Sequence, residues 1–278
     1  MNTTKTFNLI AGLLVCTGLC FLTSCRKDDQ NPESLMDQFL ESESENEEIT
    51  HFEDQSAESC MSHSDATPVE LSDALSSSRC VTVTRDTVSV PRRITLDYGT
   101  VNCLCRDGKY RRGIVYIDYT GQRGTPGSTA QMTFSGYYVN NRGISGTRNL
   151  AFALNAAGNP ERVAQFNLTI TRPNGGGSMT RQGQRVREMI AGDSSLTLLD
   201  DVYLISGYGS GTGSNGYSYN HTVVTPLRRE GSCRWLVSGS IEFRRNNLAT
   251  RTLDYGNGTC DNQATLSQGS RTRTITLP

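Results

Sequence analysis

The sequence predicts an all-β fold, an antiparallel meander of about ten long strands forming a sandwich or an open barrel. Two observations carry that reading. From residue 80 onward, apolar and polar residues alternate: Phe166, Leu168 and Ile170 with Asn167, Thr169 and Thr171, then Trp235, Val237, Ile241 and Phe243 with Arg234, Ser238, Ser240 and Glu242. A period of two sends one set of side chains to a core face and the other to water. Turn signals also punctuate the pattern: Asp107-Gly108, Pro126-Gly127, Asn140-Asn141, Gly158-Asn159-Pro160, Asn174-Gly175, Asn215-Gly216, Asn246-Asn247 and Asn257-Gly258. Asn-Gly and Asp-Gly suit two-residue hairpins, whose central positions need positive φ. Many of these turns stand about 16 residues apart, leaving strands of roughly ten residues, longer than most.

The elements before the strands have a different chemistry. In residues 1–24 a lone basic residue, Lys5, precedes an apolar run from Phe7 to Leu22. That is the layout of a secretory signal peptide, and the run is shorter than the ~20 residues a spanning helix needs. It ends in Leu22-Thr23-Ser24-Cys25, which resembles a bacterial lipobox: an aliphatic residue, two small ones and a cysteine. Cys16 and Cys20 follow Val15 and Leu19, where a small residue is wanted. The resemblance implies cleavage before Cys25 and lipid on its thiol and new amino terminus. Next, Lys27-Asp28-Asp29 resembles the surface-export signal of lipoproteins in the Bacteroidota. It implies an outer-membrane address, lipid-anchored and facing the cell exterior.

Residues 25–79 read as an acidic, largely disordered tether. From Arg26 to Arg79 there are 15 acidic and 3 basic residues, concentrated in stretches such as Glu41-Ser42-Glu43-Ser44-Glu45-Asn46-Glu47-Glu48. So polar a segment buries too little apolar surface to fold alone. Leu35, Met36, Phe39 and Leu40 could form one short amphipathic turn.

Residues 80–278 reverse the balance, with 23 basic residues against 13 acidic, and Lys109 their only lysine. A basic body suggests attraction to anionic glycans, lipopolysaccharide or nucleic acid. Arginines at strand ends, such as Arg228-Arg229 and Arg244-Arg245, equally discourage edge pairing. About 200 residues suffice for one core, and no linker-like break divides them into two sandwiches.

A short motif brackets this body. Thr95-Leu96-Asp97-Tyr98-Gly99 recurs as Thr252-Leu253-Asp254-Tyr255-Gly256, each copy followed four places after its glycine by a cysteine, Cys103 and Cys260. The pairing suggests that the first and last strands meet and close the fold. The stretches Leu96-Asp97-Tyr98-Gly99-Thr100-Val101-Asn102-Cys103-Leu104-Cys105-Arg106-Asp107-Gly108 and Leu253-Asp254-Tyr255-Gly256-Asn257-Gly258-Thr259-Cys260-Asp261-Asn262 resemble a group of uncharacterised Bacteroidota lipoproteins. That likeness spans roughly residues 90 to 278 and implies location and β architecture, not an activity.

With the signal peptide and Cys25 set aside, six cysteines remain: Cys60, Cys80, Cys103, Cys105, Cys233 and Cys260. An even number in an exported chain reads as disulfides. Cys103 and Cys105 are badly placed to join each other. They are expected to pair with Cys233 and Cys260, leaving Cys60 with Cys80. No Cys-x-x-Cys or histidine pair supports a metal at Cys103-x-Cys105, and no metal or cofactor is expected.

Catalytic patterns are sparse. His51 and His63 lie in the tether, and His221 reads as a half-exposed strand residue. Gly211-Thr212-Gly213-Ser214-Asn215-Gly216 fits the dinucleotide spacing but continues as a strand, not a helix. Asp200 and Asp201 would face opposite sides of a strand. Asp97 and Asp254 could form a carboxylate pair for glycoside cleavage if the ends meet; the alternative is that each caps a turn. Calcium on Asp254, Asn257 and Asp261 lacks a ligand-loop spacing. The expected function is therefore non-enzymatic: a surface lipoprotein that binds an anionic or neutral glycan, an envelope protein or a host molecule, with no nucleic-acid partner. Tyr137, Tyr208, Tyr217 and Tyr219 are candidates to stack on sugar rings. The alternatives are an aspartate-dependent polysaccharide hydrolase and a purely structural envelope component.

Overall fold

A computed structural model describes residues 80–277 except 106–107, 122–124, 193–198, 215 and 247. The expected signal peptide, Cys25, the expected Lys27-Asp28-Asp29 export signal, the expected tether and Cys60 lie outside the described residues. The described body is all-β. Eight long strands form its middle: β4 (Tyr110–Thr120), β5 (Thr129–Val139), β6 (Arg142–Leu154), β7 (Pro160–Thr171), β8 (Ser178–Ala191), β9 (Val202–Thr212), β10 (Ser218–Glu230) and β11 (Leu236–Arg245). Shorter strands flank them: β1 (Thr82–Asp86), β2 (Arg92–Asp97) and β3 (Cys103–Leu104) on one side, β12 (Arg251–Asn257), β13 (Gln263–Gln268) and β14 (Arg271–Thr276) on the other.

All fourteen belong to one open antiparallel sheet. They are paired in chain order from β1 to β14, except that β3 pairs only with β4 beside that path. Tight turns dictate this meander. At the β5–β6 hairpin, Asn140 and Asn141 both take positive φ (47° and 64°), the geometry that matches the twist of the flanking strands. The side chain of Asn140 also accepts from the Tyr110 amide at 2.9 Å, which fixes the adjacent strand end. Asn174 and Gly175 repeat the positive-φ pair at the β7–β8 turn.

The alternation holds through the sheet. One face, here the inner face, carries Ile94, Ile117, Met132, Leu150, Phe166, Leu168 and Leu253, all buried. The other carries their polar neighbours. The sheet is longer than the expected ten strands because the segments flanking the middle fold into short hairpins.

Two expectations are corrected. The first and last strands do not pair; β1 and β14 are the two edges of the sheet. The disulfides join Cys80 to Cys103 and Cys233 to Cys260, rather than linking the first hairpin to the last strands. Antiparallel register explains this: Cys80, two residues before β1, lies beside the chain leaving β2, where Thr82 faces Asp97. Likewise Ser238 at the start of β11 faces Asn257 at the end of β12. Each bridge therefore fastens its own flank. Cys105 is buried in the core.

Candidate functional site

The two faces of the middle strands differ sharply in chemistry, and strand register builds both. On the outer face, neighbouring positions run Gln131, Asn149, Gln165, Gln184, Tyr208 and Thr222 from β5 across to β10. A parallel row two residues away runs Thr147, Asn167, Gln182, Ser210 and Asn220. Side chains spaced by ~4.8 Å across strands and nearly 7 Å along them make a flat grid of amides and hydroxyls. Part of the grid is internally ordered: Gln131 Nε2 donates to Asn149 Oδ1 at 2.9 Å, and the Thr180 and Thr212 hydroxyls pair at 2.8 Å. Tyr208 stands in the middle of the grid, 56% exposed. At the β4–β7 end the face dips into a groove of about 560 Å³, lined by Thr120, Thr129, Gln131, Asn149 and Gln165 with Val90-Pro91 alongside.

The inner face of the same strands is rich in arginine. Arg148 on β6, Arg162 on β7, and Arg181, Arg185 and Arg187 on β8 are all more than nine-tenths buried. They occupy the same alternation phase as Phe166, Leu168 and Ile170, so their direction is fixed by the strand. Aromatic rings receive the guanidinium planes: Arg148 and Arg181 lie over Phe166 at 5.9 and 5.0 Å, and Arg187 over Tyr203 at 3.5 Å. Beside them, Arg185 Nη2 sits 2.7 Å from His221 Nε2. A guanidinium only donates, so His221 Nε2 accepts and the neutral ring carries its proton on Nδ1. Glycines keep room beside the aromatic side chains of this face: a Cβ at Gly183 would meet Phe166 Cζ at 3.0 Å, and one at Gly211 the Tyr219 hydroxyl at 2.8 Å. A Cβ at Gly209 would meet His221 Cε1 at 2.5 Å.

The residues singled out from sequence are redistributed by this arrangement. Tyr137 and Tyr219 are core residues, 1% and 3% exposed, not sugar platforms. Tyr137 accepts from Arg111 Nε at 3.0 Å, and Tyr219 donates to the Thr180 carbonyl at 3.0 Å. Tyr217 is partly covered by Arg245, 3.7 Å from its ring. Tyr208 alone among the four stands on the exposed grid. His221 is fully buried instead of half-exposed, because its alternation phase matches that of Tyr219 and Phe243.

Asp97 and Asp254 are turn residues: the Oδ1 of each accepts the amide two residues on, Gly99 or Gly256, at 2.8 Å. β2 and β12 stand far apart in the strand order, and no strand pairing brings the two carboxylates together. Asp261 Oδ1 likewise accepts the Gln263 amide at 2.9 Å. Asp201 is buried and accepts from the Tyr203 hydroxyl at 2.5 Å, while Asp200 is exposed. Gly211 and Thr212 end β9, and Gly213 N then donates to the Tyr217 carbonyl at 2.8 Å on the way into β10.

Sequence reasoning missed both faces as units. The signal for the inner one was phase: in Arg162-x-Ala164-x-Phe166-x-Leu168 the arginine falls on the apolar beat. No family model, curated protein or solved structure matches the chain.

Proposed function

We propose that the chain is a lipid-anchored outer-membrane protein, held through Cys25 and displayed by the Lys27-Asp28-Asp29 signal, whose β body binds a neutral glycan on its outer face. The observation that carries this reading is the exposed grid of amides and hydroxyls centred on Tyr208. Gln and Asn side chains each donate and accept, as sugar hydroxyls do, and a half-exposed tyrosine ring offers the flat apolar surface that a sugar ring covers. Extended strands present these groups without further ordering of the backbone, so little conformational entropy opposes binding. On β6 to β8, Arg148, Arg162, Arg181, Arg185 and Arg187 are turned inward. That favours a neutral ligand on the outer face over an anionic one.

Titration calorimetry of the full chain with neutral oligosaccharides (glucan, xylan and mannan series) at low and high salt tests the reading. Binding should be insensitive to salt. Tyr208→Ala should weaken it about tenfold, the loss of one stacking contact of roughly 1–1.5 kcal/mol. Gln165→Ala and Gln184→Ala should each weaken it less. Binding confined to polyanions and abolished by salt would reject the outer face as the site.

A further inference from the structure

The groove at the β4–β7 end of the outer face combines amides with small apolar groups. Its polar side is the end of the amide row: Gln131 on β5, Asn149 on β6 and Gln165 on β7, neighbours across the strands. Its floor is the next outer line toward the strand ends, Thr129, Ala151 and Val163. Alternation sets this: residues two apart share a face, so each strand gives the groove one amide and one small residue about 7 Å apart. Val90 and Pro91, between β1 and β2, supply an apolar wall, with Val90 94% exposed. Among the described residues of the lining Asp118 is the one charged side chain, and Arg93 holds it in a bidentate pair at 2.6 and 2.8 Å. The described lining is therefore neutral, polar along one side and apolar along floor and wall. Its volume of about 560 Å³ falls within the ~300–1,000 Å³ of small-molecule sites.

We infer that this groove takes the acetamido group of an N-acetylated sugar, which names the class of neutral glycan; the inference rests on the outer face being the glycan site. An acetamido group combines one N–H donor, one carbonyl acceptor and a methyl. Gln131 Nε2 donates to Asn149 Oδ1 at 2.9 Å. A carboxamide carries two N–H donors and an accepting oxygen, so that bond leaves Gln131 Oε1 to accept the acetamido N–H and Asn149 Nδ2 to donate to its carbonyl. The methyl then lies against Ala151, Val163 and the Thr129 methyl, apolar surface that a ring hydroxyl would leave unused. With Asp118 and Arg93 matched to each other, the described lining offers no net charge to an ammonium or carboxylate sugar. From the groove the amide row leads through Gln184 on β8 to Tyr208 on β9. Gln131 and Tyr208 stand four strands apart, ~19 Å at 4.8 Å per strand, the reach of a short oligosaccharide. One sugar of the chain thus covers Tyr208 while another places its acetamido group in the groove.

Calorimetric titration of the full chain, purified in detergent, with two tetrasaccharides of the same β-1,4 backbone tests this. One is built of N-acetylglucosamine and the other of glucose, so they differ only in their acetamido groups. The N-acetylated tetramer should bind about tenfold tighter, and its methyl protons should receive the strongest saturation transfer from the protein in NMR. Ala151→Leu fills the groove from an exposed position, and Asn149→Ala removes the donor; each should bring the two affinities together. Near-ultraviolet circular dichroism of Trp235 confirms that each variant is folded. Equal affinity for the two tetramers in the parent, no binding of either, or a preference that survives both substitutions would overturn the inference. Failure of the Tyr208 reading looks different: Tyr208→Ala would then leave binding of the glucose tetramer and of the glucan, xylan and mannan series unchanged, whatever preference the groove shows.

Discussion

His221 can be buried because the strand beside it gives up a side chain. Its ring fills the space over Gly209, where a Cβ would come within 2.5 Å of Cε1. Gly209 has no positive φ, so the requirement is steric and not conformational. Gly209→Ala should therefore destabilise the fold by about 1–3 kcal/mol, the usual cost of overpacking, measured by urea denaturation. If His221→Ala is combined with it, much of that loss should be recovered, since the colliding ring is gone.

At the surface, Arg93 and Asp118 form a bidentate pair, with Nε to Oδ1 at 2.6 Å and Nη2 to Oδ2 at 2.8 Å. That hydrogen bonding holds the Asp118 carboxyl below its ordinary value of 3.8. A lowered acid stabilises the fold above its unfolded pKa and loses that contribution as pH falls through the folded value. Asp118→Asn should thus cost stability at neutral pH and little below about pH 3. Arg93 is half-exposed, so the effect should stay under about 1 kcal/mol; equal losses at both pH values would contradict this origin.

At the scale of elements, the two Leu-Asp-Tyr-Gly copies are the same device used twice. In each, the leucine and tyrosine are buried, the aspartate caps the turn, and the glycine takes positive φ, 74° at Gly99 and 95° at Gly256. The following cysteine then bonds locally, Cys103 back to Cys80 and Cys260 back to Cys233. The repeat marks two flanks of similar construction rather than two ends that join. Because the Cys233–Cys260 bridge closes a separation of 27 residues, Cys233→Ser with Cys260→Ser should cost about 3–4 kcal/mol, mostly by freeing the unfolded chain. Thermal denaturation of the variant beside the parent measures it. A loss well below 1 kcal/mol would mean that β10 to β12 hold their register without the bridge.

For the whole molecule, the sequence makes the architecture readable because sheet formation obeys local rules. Alternation and the Asn-rich turns predict the meander, the antiparallel order and the long middle strands, and all of these are present. What stays hidden depends on register between strands. Tyr137 and Tyr219 look like platforms until their phase places them inside, and Tyr208 becomes central only when Gln184 and Thr222 flank it across β8 and β10. The arginines look like surface charge because composition records how many there are but not which way each points. The disulfide pairing depends on which strand ends share one end of the sheet, and spacing alone does not encode that.

One sheet thus carries two unlike faces, an amide-and-tyrosine face toward water and an arginine face turned inward. Hydroxyl-radical footprinting of the full chain, with and without a saturating neutral oligosaccharide, tests this division most directly. Tyr208 should lose most of its labelling on binding, while buried Tyr203 and Tyr219 should be labelled weakly in both states. Strong labelling of Tyr203 and Tyr219 in the free chain, or sugar protection at those residues with Tyr208 unchanged, would contradict it.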